Sequence, residues 1–267
     1  MTEQGSGSQI CLHLHNLVHL MITLLNIPGY FTPGFGNNWY LGIPICGFPK
    51  SICTSVNDVV CHGIPSGDEV LVIGDLINVD VTVITSSGWH GDTSKMWLVG
   101  LEGSVSSKAR LAVVAREALY LGVSACSAGG NVGDIGKAVS SHAHEHGYSV
   151  VREYSGHGIG LRFHEGPRVL HHYPLGKGED TTLEEGMVIT IEPMINEGGR
   201  EVVVMEDQWT VVTRDGGGSA QWEHTVVVRG EGEGCEILSM REGEVWPVRV
   251  KRMLEMGGEG GGVTEAK

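Results

Sequence analysis

Residues 69–99 read EVLVIGDLINVDVTVITSSGWHGDTSKMWLV, and this stretch does most to decide the fold. Its first half is rich in β-branched residues that alternate in part with polar ones, which predicts one or two strands over residues 69–84. Ser86-Ser87-Gly88 predicts a turn, and a second strand follows near residues 90–99. The stretch therefore predicts an antiparallel hairpin.

Two aspartates stand at matching positions of this hairpin. If the turn is centred on Ser86, Asp80 and Asp92 lie directly opposite each other on adjacent strands. Facing carboxylates repel unless a cation, a shared proton or a salt bridge relieves the repulsion. Two unrelated surface aspartates beside a turn would show the same spacing, so the pair alone leaves both interpretations open.

Beyond the hairpin, the sequence predicts two helices followed by further strands. The first helix is expected over about residues 106–122, with Ser106 or Ser107 as its N-cap. A second helix is expected to have Asp134 as its cap and Gly147 at its end. The order of elements, without strict βαβ alternation, favours an α+β layer fold. The later strands are predicted at residues 187–195, 201–206, 208–213 and 222–229.

Four acidic residues and one histidine are interpreted as a single metal site. Two of the acids lie in apolar strand segments (VITIEPMI and EHTVVV), where carboxylates are scarce unless they are paired or metal-bound. The histidine lies in Ser-Gly-His-Gly-Ile-Gly, whose glycines permit positive φ and close backbone approach. Taken one at a time, outward-facing glutamates and a solvated turn histidine are the alternatives. The predicted metal ligands are Asp80, Asp92, His157, Glu192 and Glu223.

The type and number of these ligands indicate the chemistry. Four oxygen donors and one imidazole are too many for a single structural zinc, and they suit two divalent ions held side by side. The donor set favours Co, Mn, Fe or Zn over copper. Two histidines complete a hydrolytic constellation: His62 in VVCHGIP and His164 in RFHEGP can donate to an oxyanion or a leaving nitrogen at neutral pH. Solvent-exposed histidines are the alternative for both.

Composition limits the classes of partner and compartment. The formal net charge of −14 argues against nucleic acid and anionic membranes as partners. Six cysteines without a CxxC pair indicate reduced thiols of an intracellular protein. Residues 17–27 are apolar but too short to span a bilayer, and no Lys or Arg precedes Lys50. The expected location is the cytoplasm, or a mitochondrion or plastid if a presequence is missing from this chain.

Six segments resemble the type I methionine aminopeptidases of peptidase family M24, in the family's order. The segments lie between about Gly47 and Leu238 and read PKSICTSVNDVVCHGIP, INVDVT, HGDTS, VREYSGHGIGLRFHEGPRVLH, TIEPMI and SAQWEHTVVV. The resemblance implies the pita-bread (creatinase/aminopeptidase) fold, an α+β architecture with pseudo-twofold halves around a dinuclear metal site. It implies removal of the initiator methionine from nascent polypeptides whose second residue is small. It also implies a monomer, with the ribosome as a candidate partner.

The resemblance assigns roles to the five metal ligands. Asp80 and Asp92 would chelate one ion, and Asp92 and Glu223 would bridge to the second. His157 and Glu192 would complete the coordination. Glu192 would also carry a proton of the attacking water.

The resemblance assigns substrate contacts as well. His164 would stabilise the tetrahedral intermediate, and His62 would contact the scissile amide. An apolar pocket with a cysteine sulfur suits a thioether side chain. The residues expected to line the methionine pocket are Phe48, Cys53, Phe163, Met194 and Trp209.

The chain departs from the family pattern in three places. Asp80 and Asp92 are twelve positions apart, where the family usually has eleven. The extra residue must lie in the turn or in a bulge, because a slip of one residue would turn Asp92 to the other face. Ile45-Cys46 stand where the family has a Tyr-His pair, and residues 1–42 do not resemble the family's two N-terminal helices.

Three segments are therefore predicted. Residues 1–42 form a divergent N-terminal segment, partly disordered or helical, which leaves the N-terminal half of the fold incomplete or altered. Residues 43–239 form the catalytic domain, and residues 240–267 form a flexible tail.

Two other functions compete with an active methionine aminopeptidase. A catalytically impaired pita-bread protein could bind nascent chains or ribosomes, but such relatives usually lack several ligands, and all five are present here. A prolidase or Xaa-Pro aminopeptidase shares the fold, but those enzymes carry a large extra N-terminal domain for which this chain has no room. The first interpretation is favoured.

Overall fold

The computed structural model describes residues 39–41, 47–85, 87–100, 103 and 105–256. In these residues the strands, in chain order, are β1 (Trp39–Leu41), β2 (Cys53–Val56), β3 (Val59–Cys61), β4 (Leu76–Thr85), β5 (His90–Leu98), β6 (Ser149–Val150), β7 (Gly156–Gly158), β8 (Glu165–Val169), β9 (Val188–Ile191), β10 (Met194–Asn196), β11 (Val202–Val204), β12 (Val211–Thr213), β13 (Ser219–Gln221), β14 (Glu223–Val228) and β15 (Cys235–Ile237). The helices are α1 (Ser107–Ala125), α2 (Val132–Glu145) and α3 (Val248–Met256).

The strands form one large sheet and two small ones. The large sheet has nine antiparallel strands in the order β1-β4-β5-β14-β9-β7-β8, with β2 beside β4 and β15 beside β14. The small sheets have the orders β13-β10-β6 and β11-β12-β3. Helices and an antiparallel sheet in separate layers make an α+β fold, as the sequence predicts.

The helix layer packs against the centre of the large sheet. The apolar face predicted for α1 is buried, and Leu111 and Leu119 are completely inaccessible to solvent. These residues join one core cluster with Ile189 and Ile191 of β9 and with Val226 of β14. On β14, His224 packs edge-on against Tyr120 of α1, so the alternating side chains of this strand place Glu223 on the opposite face.

The helix caps match the predicted positions with one correction. Ser106 caps α1, because its Oγ accepts a hydrogen bond from the Ala109 amide at 3.2 Å. For α2 the cap is Asn131, and Asp134 lies at the third helical position of a capping box, where it accepts from the Asn131 amide at 2.8 Å. The cap of α2 therefore lies three residues earlier than the sequence predicts. Gly147 follows the helix with φ of 80°, as a C-terminal glycine does.

The hairpin register differs from the one expected. Asp80 pairs with Ser94, and Asp92 pairs with Thr82, so the aspartates are diagonal neighbours rather than direct partners. They still share one face, because the register is shifted by two positions and side chains alternate with a period of two. Pairing runs without a bulge from Leu76↔Leu98 to Ile84↔His90. The extra residue relative to the family pattern therefore lies in the turn, where Gly88 has φ of 90°.

The expected flexible tail is wrong for residues 240–256. Trp246 is buried to 7% exposure and Val250 of α3 is completely buried, and both belong to the main core cluster. Arg241 is also buried, with hydrogen bonds to Thr93 and Ser94 of β5. Residues 240–256 therefore form a packed part of the domain, because their apolar side chains meet the helix layer. Residues 257–267 lie outside the described range.

Several predictions fall on residues that the structure does not describe. These are the helix or disorder expected within residues 1–38, the apolar stretch 17–27 and the Ile45-Cys46 departure. Among the described helices, none is long and apolar enough to cross a membrane. The described cysteines Cys53, Cys61, Cys126 and Cys235 are free thiols.

Candidate metal centre and substrate cavity

Three of the predicted ligands come from the three central strands of the large sheet. Asp80 of β4 and Glu223 of β14 both pair with Ser94 of β5, which lies between them. Asp92, two residues before Ser94, lies diagonal to both. Asp80, Asp92 and Glu223 each offer a carboxylate oxygen within 4.8 Å of the others. We refer to these three residues as the carboxylate trio.

Asp92 and Glu223 are buried, Asp80 is half-buried, and the carboxylate trio is incompletely hydrogen-bonded. Asp92 is 5% exposed and Glu223 is 1% exposed. Oδ1 of Asp80 and Oε1 of Glu223 have no hydrogen-bond partner among the described residues. Buried, unpaired carboxylate oxygens are costly, so the trio fits a bound cation, which would satisfy these oxygens.

The other two predicted ligands adjoin the trio. Glu192 directly follows β9, whose Ile191 pairs with His224, so Glu192 lies next to Glu223. Nε2 of His157, on β7, is 3.7 Å from Oε1 of Glu192. Nδ1 of His157 donates to the Gly158 carbonyl at 2.9 Å, which leaves Nε2 available as a ligand.

The electrostatics of the four carboxyl groups are those of a cation site. Burial raises the pKa of Asp80 to about 6 and that of Glu192 to about 8. Burial and the neighbouring carboxylates raise the pKa of Asp92 and of Glu223 well above the usual range. Four adjacent acids therefore resist simultaneous ionisation, and a divalent cation would relieve that resistance. Burial lowers the pKa of His157 to about 4, so its imidazole is neutral and able to ligate a metal at pH 7.

The glycines on either side of His157 allow neighbouring backbone to pack closely in the sheet, and they do not form a turn. Neither Gly156 nor Gly158 has positive φ. A Cβ on Gly156 would lie 2.3 Å from the Thr190 carbonyl oxygen, and one on Gly158 would lie 2.1 Å from the Gly166 carbonyl oxygen. The expectation of positive φ was wrong for both glycines, and their close approach is to neighbouring backbone, so approach to a bound group stays a prediction.

A cavity of 430 Å³ opens onto these ligands. Its walls include Asp80, Asp92, His157 and Glu192, whereas Glu223 is not among the lining residues. The residues predicted for substrate contact all line it: Phe48, Cys53, His62, Phe163, His164, Met194 and Trp209. Phe48 packs edge-on against Trp209 with ring centroids 5.3 Å apart, which makes one wall aromatic. The sequence missed Tyr154 and Thr82, which also line the cavity.

The two predicted catalytic histidines flank the ligands. The rings of His164 and His157 are 4.4 Å apart, and His62 packs edge-on against Tyr154 at 5.4 Å. His62 has φ of 56°, a left-handed conformation that is uncommon for non-glycine residues and frequent at functional sites. Burial and the neighbouring His164 lower the pKa of His62, and burial and His90 lower that of His164. Both rings are therefore neutral hydrogen-bonding groups at pH 7.

Comparison with known proteins identifies the family. The profile of metallopeptidase family M24 matches residues 37–230. The chain belongs to metallopeptidase family M24. It is 49% identical over 216 residues to the methionine aminopeptidase of Haemophilus influenzae, covering 79% of this chain and 78% of that one. It is 52% identical over 196 residues to methionine aminopeptidase A of a Synechocystis species, covering 73% and 75%.

A solved M24 structure agrees with the fold. The crystal structure of methionine aminopeptidase from Rickettsia prowazekii superposes with a TM-score of 0.66 at 50% identity, covering 72% of this chain and 75% of that one. The pita-bread fold implied by the sequence is confirmed. Within family M24 the chain groups with the methionine aminopeptidases, and as a metallopeptidase it binds divalent metal. A non-catalytic binding protein is not favoured.

Further residues hold the predicted metal ligands in place by hydrogen bonds. Thr82 donates to Oδ1 of Asp92 at 2.9 Å, and the period of two that places Thr82 beside Asp80 could have revealed it. Thr190 donates to Oε1 of Glu192 at 2.7 Å. The Glu192 amide donates to Nε2 of His171 at 3.1 Å, and burial holds the pKa of His171 at about 3, so that ring stays neutral. No sequence signal marked Thr190 or His171.

Proposed function

We propose that this chain hydrolyses the first peptide bond of polypeptides that begin with methionine followed by a small residue, with two divalent ions at its centre. One observation supports this function above others. Asp80, Asp92, Glu192 and His157 line one cavity, Glu223 adjoins them, and aromatic, methionine and cysteine side chains line part of the same cavity. This combination suits a hydrolytic metal site beside a thioether pocket.

Two neighbouring ion positions account for the arrangement of the ligands. The trio supplies carboxylates from three strands, and Glu192 and His157 supply a second set next to it. Asp92 and Glu223 would be shared between the two positions, because they lie between Asp80 and Glu192. When bound, the ions supply Lewis acidity that activates water and polarises a carbonyl. Mn, Fe, Co and Zn all fit four oxygen donors and one imidazole.

Glu192 is the proposed proton carrier. It lines the cavity, and its carboxylate is oriented by Thr190 at 2.7 Å and by Gln221, which donates to Oε2 at 3.3 Å. A carboxylate held in this way can take a proton from the attacking water and return it to the departing amine. Both transfers occur at one group, so the overall hydrolysis leaves Glu192 in its starting state.

His62 and His164 are the proposed hydrogen-bond donors to the substrate. Both line the cavity as neutral imidazoles. His164, whose ring contacts His157, would donate to the oxygen that becomes negatively charged. His62, whose ring contacts Tyr154, would contact the scissile amide. The apolar wall of Phe48, Cys53, Phe163, Met194 and Trp209 would receive the methionine side chain.

Release of methionine from Met-Gly-Met-Ser tests the function. The purified chain with Mn²⁺ or Co²⁺ should release free methionine, and chelation with EDTA should stop the release. Glu192→Gln should lower kcat by at least about 10³-fold, because the proton carrier is lost while the shape is kept. His144→Ala, an exposed position on α2, is the matched control and should leave the rate unchanged. A folded, metal-loaded chain that releases no methionine would exclude this function.

Three further features of the family remain predictions for this chain. Nascent polypeptides as the natural substrates, contact with the ribosome and the monomeric state are expected from the resemblance. Size-exclusion chromatography with light scattering checks the monomer, and co-sedimentation with ribosomes checks the contact. The cytoplasmic or organellar location is checked by fractionation of cells that express the chain.

A further inference from the structure

A second cluster of metal-ligand side chains lies in the helix layer, outside the catalytic cavity. Glu117 of α1 and His142 and His146 of α2 and its C-cap each offer one ligand atom within 4.8 Å of the others. Glu117 is 5% exposed and His142 is 2% exposed. None of the three lines the cavity. We call these residues the helix-layer cluster.

The two histidines are arranged as a chelating pair. They are four positions apart at the end of one helix, so they share a face, and their ring centroids are 4.4 Å apart. Nε2 of His142 lies 2.9 Å from Oε2 of Glu117. Nδ1 of His146 donates to the His142 carbonyl at 2.8 Å, so Nε2 carries the lone pair of the ring and can accept a hydrogen bond or bind a cation. Metal-binding histidines commonly have such a backbone partner on the other nitrogen.

In the folded chain, the guanidinium group of Arg249 lies close to these ligand atoms. Nη1 of Arg249, on α3, lies 2.7 Å from Nε2 of His146 and 3.7 Å from Oε2 of Glu117. The Arg249 side chain is 54% exposed, whereas the carboxylate that it faces is 6% exposed. The arginine side chain can therefore move into solvent without disturbing the core. The three residues of the cluster would then have acceptor atoms but no cation beside them.

We propose that Glu117, His142 and His146 form an accessory site for a divalent metal ion of the zinc class, at which the ion and Arg249 compete. Two imidazoles and one carboxylate, with water as a fourth ligand, are a common zinc donor set. Ligand atoms of a tetrahedral zinc ion lie about 3.3 Å apart, so the cluster needs only small side-chain shifts. An ion at this site would replace the contacts of Arg249 with Glu117 and His146, while Val250 would keep α3 packed against the core.

Zinc stoichiometry of the full chain tests the accessory site. Equilibrium dialysis against ZnCl₂ followed by elemental analysis should find one equivalent fewer in His146→Ala than in the parent. Arg249→Ala removes the competing cation, so it should tighten the affected equivalent by about 10-fold or more. His144→Ala, on the exposed face of the same helix, is the matched control and should bind as the parent does.

Two outcomes would overturn the accessory site. One is a folded His146→Ala chain that binds as much zinc as the parent, and the other is an Arg249→Ala chain with unchanged affinity. If His146→Ala fails to fold, the Arg249→Ala titration decides, because a gain in affinity cannot come from a folding defect. Metal-dependent methionine release should persist in all of these variants, so failure of this site and failure of the proposed function are distinguishable.

Discussion

The chain has buried acidic residues in two regions, and the surroundings shift the pKa values of these residues in opposite directions. Glu223 in the sheet is 1% exposed and Glu117 in the helix layer is 5% exposed, so burial is nearly the same. Burial and neighbouring carboxylates raise the pKa of Glu223 well above its usual range. Burial also opposes ionisation of Glu117, but the hydrogen bond from His142 and the charge of Arg249 outweigh it and lower that pKa.

The difference lies in the partners that the chain supplies. In the helix layer, the protein provides its own cation and hydrogen-bond donor, so the acid is balanced without help. In the sheet, acids face acids, and the described residues leave two carboxylate oxygens without partners. An external cation would therefore offset the charge of the sheet site, whereas the chain's own groups already balance Glu117 in the helix-layer cluster. This comparison predicts opposite responses to the same kind of substitution.

The largest expected effect comes from Asp92→Asn. Methionine release should fall by about 10³-fold or more, because one carboxylate ligand of the metal site is lost. The metal-free protein should nevertheless melt at a higher temperature than the parent at pH 8, since one of the mutually repelling carboxyls is gone and Thr82 can still donate to Oδ1. Peptide hydrolysis and thermal melts in EDTA measure the two effects. A lower melting temperature would contradict this account of the sheet site.

Backbone packing provides the next test. A Cβ on Gly156 would lie 2.3 Å from the Thr190 carbonyl oxygen, so Gly156→Ala must move backbone that carries His157. We expect a loss of about 1–3 kcal/mol in unfolding free energy, together with reduced metal affinity. In the helix layer, Gly122→Ala meets only side-chain tips, with Val139 Cγ2 at 3.0 Å, and should cost less. Denaturant melts and metal titrations compare the variants, and equal losses would contradict the distinction.

The pH dependence of the metal-free protein is a third test. Glu192 has a pKa of about 8 in the fold, against 4.5 as a free side chain, so the folded state binds more protons than the unfolded state between these values. Its contribution to stability is present at low pH and is lost as the pH rises towards 8. The buried histidines have lowered pKa values and act in the opposite direction, but only below about 6.5, where they are charged in the unfolded state.

The window from pH 7 to 8 therefore isolates the carboxyl groups. The melting temperature in EDTA should fall by roughly 3 °C across it, if the folded state binds about one proton more than the unfolded state. Saturating Mn²⁺ should remove the fall, because the bound ions keep the carboxylates ionised throughout. A metal-free melting temperature that is flat or rises over this window would contradict the unbalanced charge of the sheet site.

Much of the sheet site could be predicted from sequence because strand periodicity fixes which side chains share a face. Asp80 and Asp92 fall on one face for any register shift of two, so the pair was found although the exact partner was Ser94 rather than Asp92. The strand register could not be predicted from the sequence, because the turn is centred one residue away from the expected position. Local cap chemistry likewise identified Ser106, whereas for the second helix it predicted a cap at Asp134 instead of Asn131.

Features that depend on long-range packing could not be predicted. The order of residues 240–256 comes from Trp246 and Val250 meeting the helix layer, and no local pattern reveals that surface. The ion pair that Glu117 of the helix-layer cluster makes with Arg249 spans 132 positions of chain. The support of Glu192 by His171 is also non-local. The sequence therefore located the predicted metal ligands of the sheet site, whereas the residues that balance or orient buried acids could be identified only from the structure.

The smallest expected effect sharpens the comparison most. Glu117→Gln keeps the shape and lets His142 still donate, but it removes the negative charge that meets Arg249. A charged hydrogen bond replaced by a neutral one should cost about 1 kcal/mol, or about 2–4 °C in melting temperature for a domain of this size. Methionine release should stay within about 2-fold of the parent, since Glu117 does not line the cavity. Glu145→Gln, an exposed acid on α2, is the control and should change neither property.

Asp92→Asn and Glu117→Gln each neutralise one buried acid. Opposite shifts in the metal-free melting temperature would show that the partners of an acid decide whether its charge stabilises the fold. A rise in melting temperature for both variants would refute this conclusion.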